Sequence, residues 1–381
     1  MFVRKAFQFR LRPTKAQAKL LQAQLDECRW LYNELLAQRK IAYEELDISL
    51  SKYDQLMFLP LLKEERPALK IVHSQVLQNI ADRLDKAFQS FFRRCKAKEK
   101  PGFPRFRGAH RYNSFCYPQS GFTLIGKEIS LSKIGRIRLK MHRPIEGEIK
   151  TCTLKKTPSG AWDITFSCEV KTTPLEPKAQ AIGIDVGIAS FATFSNGDKI
   201  KNPRFFKKGE KALAKAQRKL SRLEKGTRER KKGGKAASKI HERIKNQRKD
   251  FCHKEAKKII DQYQYICIED LDIKNMIERS HFAKSIIDVS WNQFRQFLIY
   301  KAAEAGRKLE LVNPAYTSQI CSQCKHLEPK KLAERTHKCS KCGYTADRDF
   351  NAAQNILALG LDGLGIIPRS LRIYAREQSQ L

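Results

Sequence analysis

The chain has 381 residues, and its 75 lysines and arginines against 40 aspartates and glutamates give a formal charge of +35 at pH 7. A hydrophobic content of 41% excludes wholesale disorder. No run of about 18 uncharged apolar residues suits a membrane span, and the start MFVRKAFQFRLRP carries too many charges for a signal peptide.

Residues 3–11 alternate as a strand. Thr14, with Gln17 three residues on, is a capping-box pattern that opens a helix. Its stripe is Ala18, Leu21, Leu25, Cys28, Tyr32 and Leu35. A second helix is expected over about 72–97, with Val76, Leu77, Ile80, Leu84, Phe88, Phe91 and Phe92 on its apolar face. Pro101, Gly102, Pro104 and Gly108 then break the helix in a basic segment interleaved with aromatics.

From 112 to 171 the period changes to two. Ile137, Leu139 and Met141 alternate with Arg136, Arg138 and Lys140, and Trp162, Ile164, Phe166, Cys168 and Val170 alternate with polar residues. This predicts a small β domain with one basic strand face. Residues 171–180, with Pro174 and Pro177, read as a linker.

A second domain opens at Ala181 with the buried strand Ile182–Val186 and a neighbour over 190–195. Residues 199–258 hold 24 lysines and arginines against 6 acids, about half of the net charge, and read as two helices around Gly226–Gly234. Strands are expected at Tyr265–Glu269 and Leu309–Val312, with a helix at 290–305 showing Trp291, Phe294, Leu298 and Ala302. A cysteine-rich insert at 316–345 precedes a last helix over about 350–359.

Length suggests about two or three domains. The excess of positive charge costs self-repulsion and points to a polyanionic partner. Nucleic acid comes before a membrane surface, because no basic amphipathic anchor stands out. Eleven cysteines argue against a disulfide framework and for a reducing compartment.

Cys321-x2-Cys324 and Cys339-x2-Cys342 form two knuckles fourteen residues apart. Four thiolates at this spacing suit one structural Zn²⁺ with no open position. Lys325, Lys338 and Lys341 stand nearby to offset the negative centre, and Cys28, Cys168 and Cys267 read as core residues.

Three acids stand at the edges of apolar elements: Asp185, Glu269 and Asp349. Any one of them reads first as a turn or capping residue, and Asp349 could cap the last helix. Three together in a basic chain also fit phosphodiester cleavage, in which converging carboxylates hold two Mg²⁺.

The run GIDVGIASFATFS, the basic stretch, YICIEDLDI, TSQICSQC with HKCSKCG, and DRDFNAAQNI resembles the TnpB family, as do FQFRLRPT, CRWLYNELL and GFPRFR near the N-terminus. These are transposon-encoded, RNA-guided DNA endonucleases related to type V CRISPR effectors. The resemblance covers roughly residues 1–360.

It implies a multi-domain α/β protein. Residues 1–12 would supply the first strand of a β-barrel wedge domain completed by 111–175, and 13–110 a helical recognition lobe. An RNase H-like RuvC nuclease domain would occupy 176–315 and 346–360, around a zinc-ribbon insert at 316–345. Residues 361–381 would be a weakly ordered tail.

The resemblance makes Asp185, Glu269 and Asp349 the catalytic Mg²⁺ ligands. Asp349 is preferred to Asp347, the fallback, because the family's acid stands two residues before the asparagine of this motif. It implies a guide RNA from the element, a double-stranded target DNA, and a protein-read motif beside the target. A monomeric complex acting in the cytoplasm is expected. The 199–258 stretch is the candidate for RNA contact. Ser74, Gln75, Gln78 and Tyr53 are candidates for base-edge contacts. Two other functions fit the composition: a non-catalytic zinc-dependent transposon regulator, and a DDE-type transposase.

Overall fold

The computed structural model describes residues 2–279, 282–331 and 334–366. The chain divides into two units between Lys171 and Thr172.

The first unit opens with β1 (Phe2–Arg12), α1 (Lys15–Leu46), α2 (Lys52–Met57), α3 (Leu59–Glu65), a 3₁₀ turn (Pro67–Ile71) and α4 (Ser74–Lys96). It closes with β2 (Ser114–Tyr117), β3 (Phe122–Ile125), β4 (Glu128–Leu131), β5 (Gly135–Lys140), β6 (Glu148–Lys156) and β7 (Trp162–Lys171).

The seven strands form an antiparallel sheet in the order β2-β6-β7-β1-β5-β4-β3. Its two outermost strands, β2 and β3, are joined only by residues 118–121, so the sheet curls until its edges nearly meet. The alternation read in the sequence sets the interior: Phe7 pairs with Phe166 and Phe9 with Ile164, and all four are buried. Arg136, Arg138 and Lys140 are exposed on β5, as the alternation requires.

Thr14 and Gln17 form the expected capping box on α1. The stripes of α1 and α4 bury Leu21, Leu25, Cys28 and Leu35 with Val76, Leu77, Ile80 and Leu84, in one cluster with the sheet interior. Phe92 departs from expectation: it is 58% exposed and stacks on Phe88, because the apolar face of α4 outlasts the core beneath it. The segment after α4 is held in place. Pro104 is buried, Phe103 packs edge-on against Phe88, and the Asn33 side chain brackets the Arg107 backbone with two hydrogen bonds.

The second unit contains β8 (Ala179–Val186), β9 (Ser190–Phe194), β10 (Lys199–Lys201), α5 (Phe205–Ser221), α6 (Arg228–Gln262) and β11 (Tyr263–Glu269). There follow α7 (Ile273–Arg279), α8 (Ala283–Val289), α9 (Trp291–Ala305), β12 (Lys308–Val312), β13 (Thr336–Lys338), β14 (Thr345–Asp347) and α10 (Arg348–Gly363).

Its main sheet runs β10-β9-β8-β11-β12. Strands β8 to β10 pair antiparallel, whereas β8, β11 and β12 pair parallel. The short α2, α3, α7 and α8 carry no period long enough to read from sequence.

Three expectations change. The break in the basic stretch falls at 222–227, not across Gly226–Gly234. Gly226 has a φ of +91° and Thr227 caps α6, while Gly233 lies inside that helix against Leu220 of α5 and Leu223 of the break. The expected linker is fastened: Arg307 donates to the carbonyls of Leu175 (2.6 Å) and Glu176 (3.1 Å). Helix α10 continues to Gly363, and residues 367–381 of the expected tail lie outside the described residues.

Helix α10 crosses the sheet very closely at Gly183 of β8, where a Cβ would stand 2.2 Å from the Ala353 carbonyl oxygen. Gly183→Ala therefore forces helix and strand apart. We expect a loss of about 1–3 kcal/mol or more, typical of overpacking, seen as a lower unfolding temperature. An unchanged temperature would contradict this packing.

Candidate active site

Asp185 and Glu269 come from adjacent parallel strands. Ile184 pairs with Ile268, so the two acids occupy the next register positions along β8 and β11. Apolar residues bury each strand up to the acid, and the chain then leaves the sheet. Asp349 lies in the first turn of α10. The close approach at Gly183 brings that turn to the same sheet end.

The acids of this sheet end act electrostatically on Asp185 and Glu269. Burial, then the charges of Glu269 and Asp349, push the Asp185 carboxyl well above the usual carboxylate range, with Arg348 opposing. Glu269 is pushed up to about 7 by burial and by Asp349, against the pull of its hydrogen bond from Thr317. Two acids that resist ionisation beside a third suit a hard cation, which favours the charged forms.

The fallback Asp347 has another task. Its Oδ1 accepts the backbone N–H groups of Asp349 (3.0 Å) and Phe350 (3.1 Å), and its Oδ2 pairs with Lys199 at 2.9 Å. Asp347 is thus the cap of α10, which leaves the Asp349 side chain available to its neighbours. Arg348 lies 3.4 Å from Asp349.

Beside Glu269 is a narrow cleft bordered also by Val186, Leu271, Trp291, Asn292 and Arg295. Arg295 pairs with Asp270 at its rim.

The Sγ atoms of Cys321, Cys324, Cys339 and Cys342 all lie within 4.8 Å of one another and could hold a metal ion. Cys321 and Cys342 are 3.7 Å apart, and Cys324 and Cys339 3.5 Å. Disulfide sulfurs would lie about 2 Å apart. Tetrahedral zinc with bonds of about 2.3 Å separates its sulfurs by about 3.8 Å. The cluster draws thiol ionisation apart. The backbone N–H of Cys342 helps to lower Cys339 to about 7, while Cys342, though pulled down by the Tyr344 N–H, is pushed up to about 12 by contacts with neighbouring cysteines together with desolvation. Cys28, Cys168 and Cys267 are buried, in keeping with core packing.

Sequence reading missed the residues that fasten this cluster to the acids. Thr317 donates to Glu269 Oε1 at 2.8 Å, and both residues are buried. Asn351 and Asn355, one turn apart on α10, are buried and hydrogen-bonded to the segment around Cys321. Their only trace in sequence was membership of the TSQIC and NAAQN runs.

The base-edge candidates lie in the first unit, on α2 and at the start of α4. Tyr53 is 72% exposed, and Gln78 is also exposed. Ser74 accepts from Lys63, whereas the Gln75 Oε1 is occupied by the N–H and hydroxyl of Ser120. Gln75 thereby ties α4 to the turn between β2 and β3.

Three family models match the chain: "Probable transposase" (OrfB of IS605) over residues 165–280, "Cas12f1-like, TNB domain" over 291–356, and "Helix-turn-helix domain" over 1–47. The last segment folds as a strand and one long helix.

Two relatives share the name "Putative RNA-guided DNA endonuclease". The one from Streptomyces pristinaespiralis is 33% identical over 374 residues, covering 94% of this chain and 90% of that protein. The other, InsQ of Escherichia coli K12, is 33% identical over 376 residues, covering 93% and 92%. The cryo-EM structure of a Cas12f1–sgRNA–target DNA complex shares the fold, with a TM-score of 0.58 and 16% identity over 90% of this chain and 83% of that one.

Proposed function

Because the chain belongs to the TnpB family of RNA-guided DNA endonucleases, we propose that it cuts DNA at an address set by a bound RNA, with Asp185, Glu269 and Asp349 as the catalytic acids. The observation that carries this reading is the placement of Asp185 and Glu269 at adjacent register positions on two parallel strands, with Asp349 of α10 close enough for its charge to raise both. The strand order, three antiparallel strands continued by parallel ones, supports an RNase H-like, RuvC-type nuclease.

The three carboxylates would hold two Mg²⁺, which supply an activated water and charge stabilisation at the leaving oxygen. Asp185 and Glu269 sit on rigid strands, and Asp349 is aimed by the capped first turn of α10. The half-buried setting keeps bulk water from screening their charges. The four cysteines would hold one Zn²⁺ that gives the 316–345 segment its shape.

The basic helices α5 and α6 would contact RNA phosphates, since their buried residues are few and their lysines and arginines face outward. Ser74, Gln78 and Tyr53 remain the candidates for reading bases of double-stranded DNA beside the target. Gln75 is the weaker one, its carbonyl oxygen being engaged.

The protein should be expressed with its native flanking DNA and the co-purifying RNA sequenced. We expect one discrete RNA, and Mg²⁺-dependent cutting of a plasmid carrying the matching target. A heterogeneous RNA population without cutting would favour a zinc-dependent regulator. Strand-transfer products would favour a DDE-type transposase.

A further inference from the structure

Among the described residues, Glu269 is the one proposed catalytic acid gripped by a side chain from the cysteine-rich segment, and that segment is fixed at several points. Thr317 Oγ1 lies 2.8 Å from Glu269 Oε1 and 3.1 Å from the Pro314 carbonyl. When Glu269 is ionised the single proton favours it over the carbonyl, since charge-assisted hydrogen bonds are about twice as strong. Thr317 is only 2% exposed, so water does not substitute for the contact.

Two asparagines of α10 hold the Thr317 backbone and the first knuckle. The Asn355 amide nitrogen donates to the carbonyls of Thr317 (3.0 Å) and Ile320 (2.7 Å), and its oxygen accepts from Lys325 Nζ (3.2 Å). The Asn351 amide brackets Cys321: its nitrogen donates to Ile320 O (2.8 Å), and its oxygen accepts from Ser322 N (2.9 Å). Asp349 rides on the same helix two residues earlier. One short segment is therefore bonded to the helix that carries one acid and to the side chain of another.

On the reading above, we propose that Thr317 is a positioning residue for Glu269, through which the cysteine knuckle sets the geometry of the divalent-ion site. The knuckle would then govern cutting through Glu269, in addition to shaping its own fold.

Thr317→Val removes the hydroxyl at nearly constant size, and Thr317→Ser keeps it. Three quantities separate the possibilities. They are Mn²⁺ binding by the RNA-free protein, followed by electron paramagnetic resonance; the Mg²⁺ concentration giving half-maximal single-turnover cutting; and the unfolding temperature. Partners that orient metal ligands typically contribute 10–100-fold to affinity or activity. Thr317→Val should weaken Mn²⁺ binding and raise the Mg²⁺ requirement by about that factor, with target binding unchanged. Thr317→Ser should stay close to wild type.

Unchanged Mn²⁺ binding in Thr317→Val would overturn the proposal. So would equal impairment of both variants together with a lower unfolding temperature, which marks a structural role only. A wild-type protein that binds Mn²⁺ yet cuts nothing would instead refute the nuclease reading, and the Mn²⁺ comparison would still decide the role of Thr317. Coupling to the knuckle is tested by combining Thr317→Val with Cys321→Ser. Less-than-additive losses in Mn²⁺ affinity support it, and full additivity removes that part of the proposal.

Discussion

Asp185→Ala should lower target cutting by roughly a thousandfold or more, the several kcal/mol that a metal centre contributes to the transition state. RNA binding and target binding should be retained, because Asp185 lies at a sheet end among other acids rather than on a basic surface. The variant also has an expected effect on stability. The Asp185 carboxyl is raised above its ordinary range by burial and the neighbouring acids Glu269, Asp349 and Asp347, so its ionised form is disfavoured in the folded state.

A raised carboxyl contributes most at low pH, below its unfolded value, and that contribution is lost as pH rises toward the folded value. Without divalent ions, Asp185→Ala should therefore be no less stable than wild type at neutral pH, and more stable if the lost packing is small. Cutting assays and unfolding curves without Mg²⁺ test both statements. Undiminished cutting would remove Asp185 from the active site.

Cys321→Ser should have the second-largest effect. Among the described residues, the segment between β12 and α10 has one two-stranded sheet, Thr336–Lys338 with Thr345–Asp347, and one isolated bridge between Ile320 and Leu327. So small an element lacks a core that could offset the entropy of ordering it, and depends on a staple. Structural zinc supplies roughly 10 kcal/mol or more in comparable small motifs.

Loss of one thiolate should release the metal, expose residues 316–345 to protease, and lower cutting at least about a hundredfold, as the hold on Glu269 through Thr317 is lost. Metal analysis, limited proteolysis and cutting rates give the three readouts. A zinc-free protein with full activity would rule out this role for the cysteines.

Much of this molecule is legible locally. The alternation of Phe7, Phe9 and Leu11 specifies β1, the capping box at Thr14 starts α1, and the stripe from Val76 to Phe88 gives α4, because each pattern reports which side of its own element is buried. The paired CxxC spacing likewise identifies the cysteine cluster, since each knuckle is a local turn that brings two thiols together.

The arrangement of acids was only partly legible. Their placement at the ends of apolar runs marked them out, and only the motif of the family resemblance ranked Asp349 above Asp347. The fold makes Asp347 the cap of α10 and the partner of Lys199, 148 positions away, although its charge, like that of Asp349, still reaches Asp185. Gly183 looked like part of an ordinary buried strand, and its need for hydrogen in place of a side chain arises only where α10 crosses it. Thr317 lies 48 positions from Glu269, and both asparagines that fix its segment lie more than 30 positions further on. Sequence alone determined β1, β5, β7, β8, β9, β11 and β12, the longer helices, the metal-type cysteine spacing and the basic character that calls for a polyanion. Tertiary structure alone decided which acids share one charge environment and which polar residues hold them there, because such pairings depend on where distant segments cross.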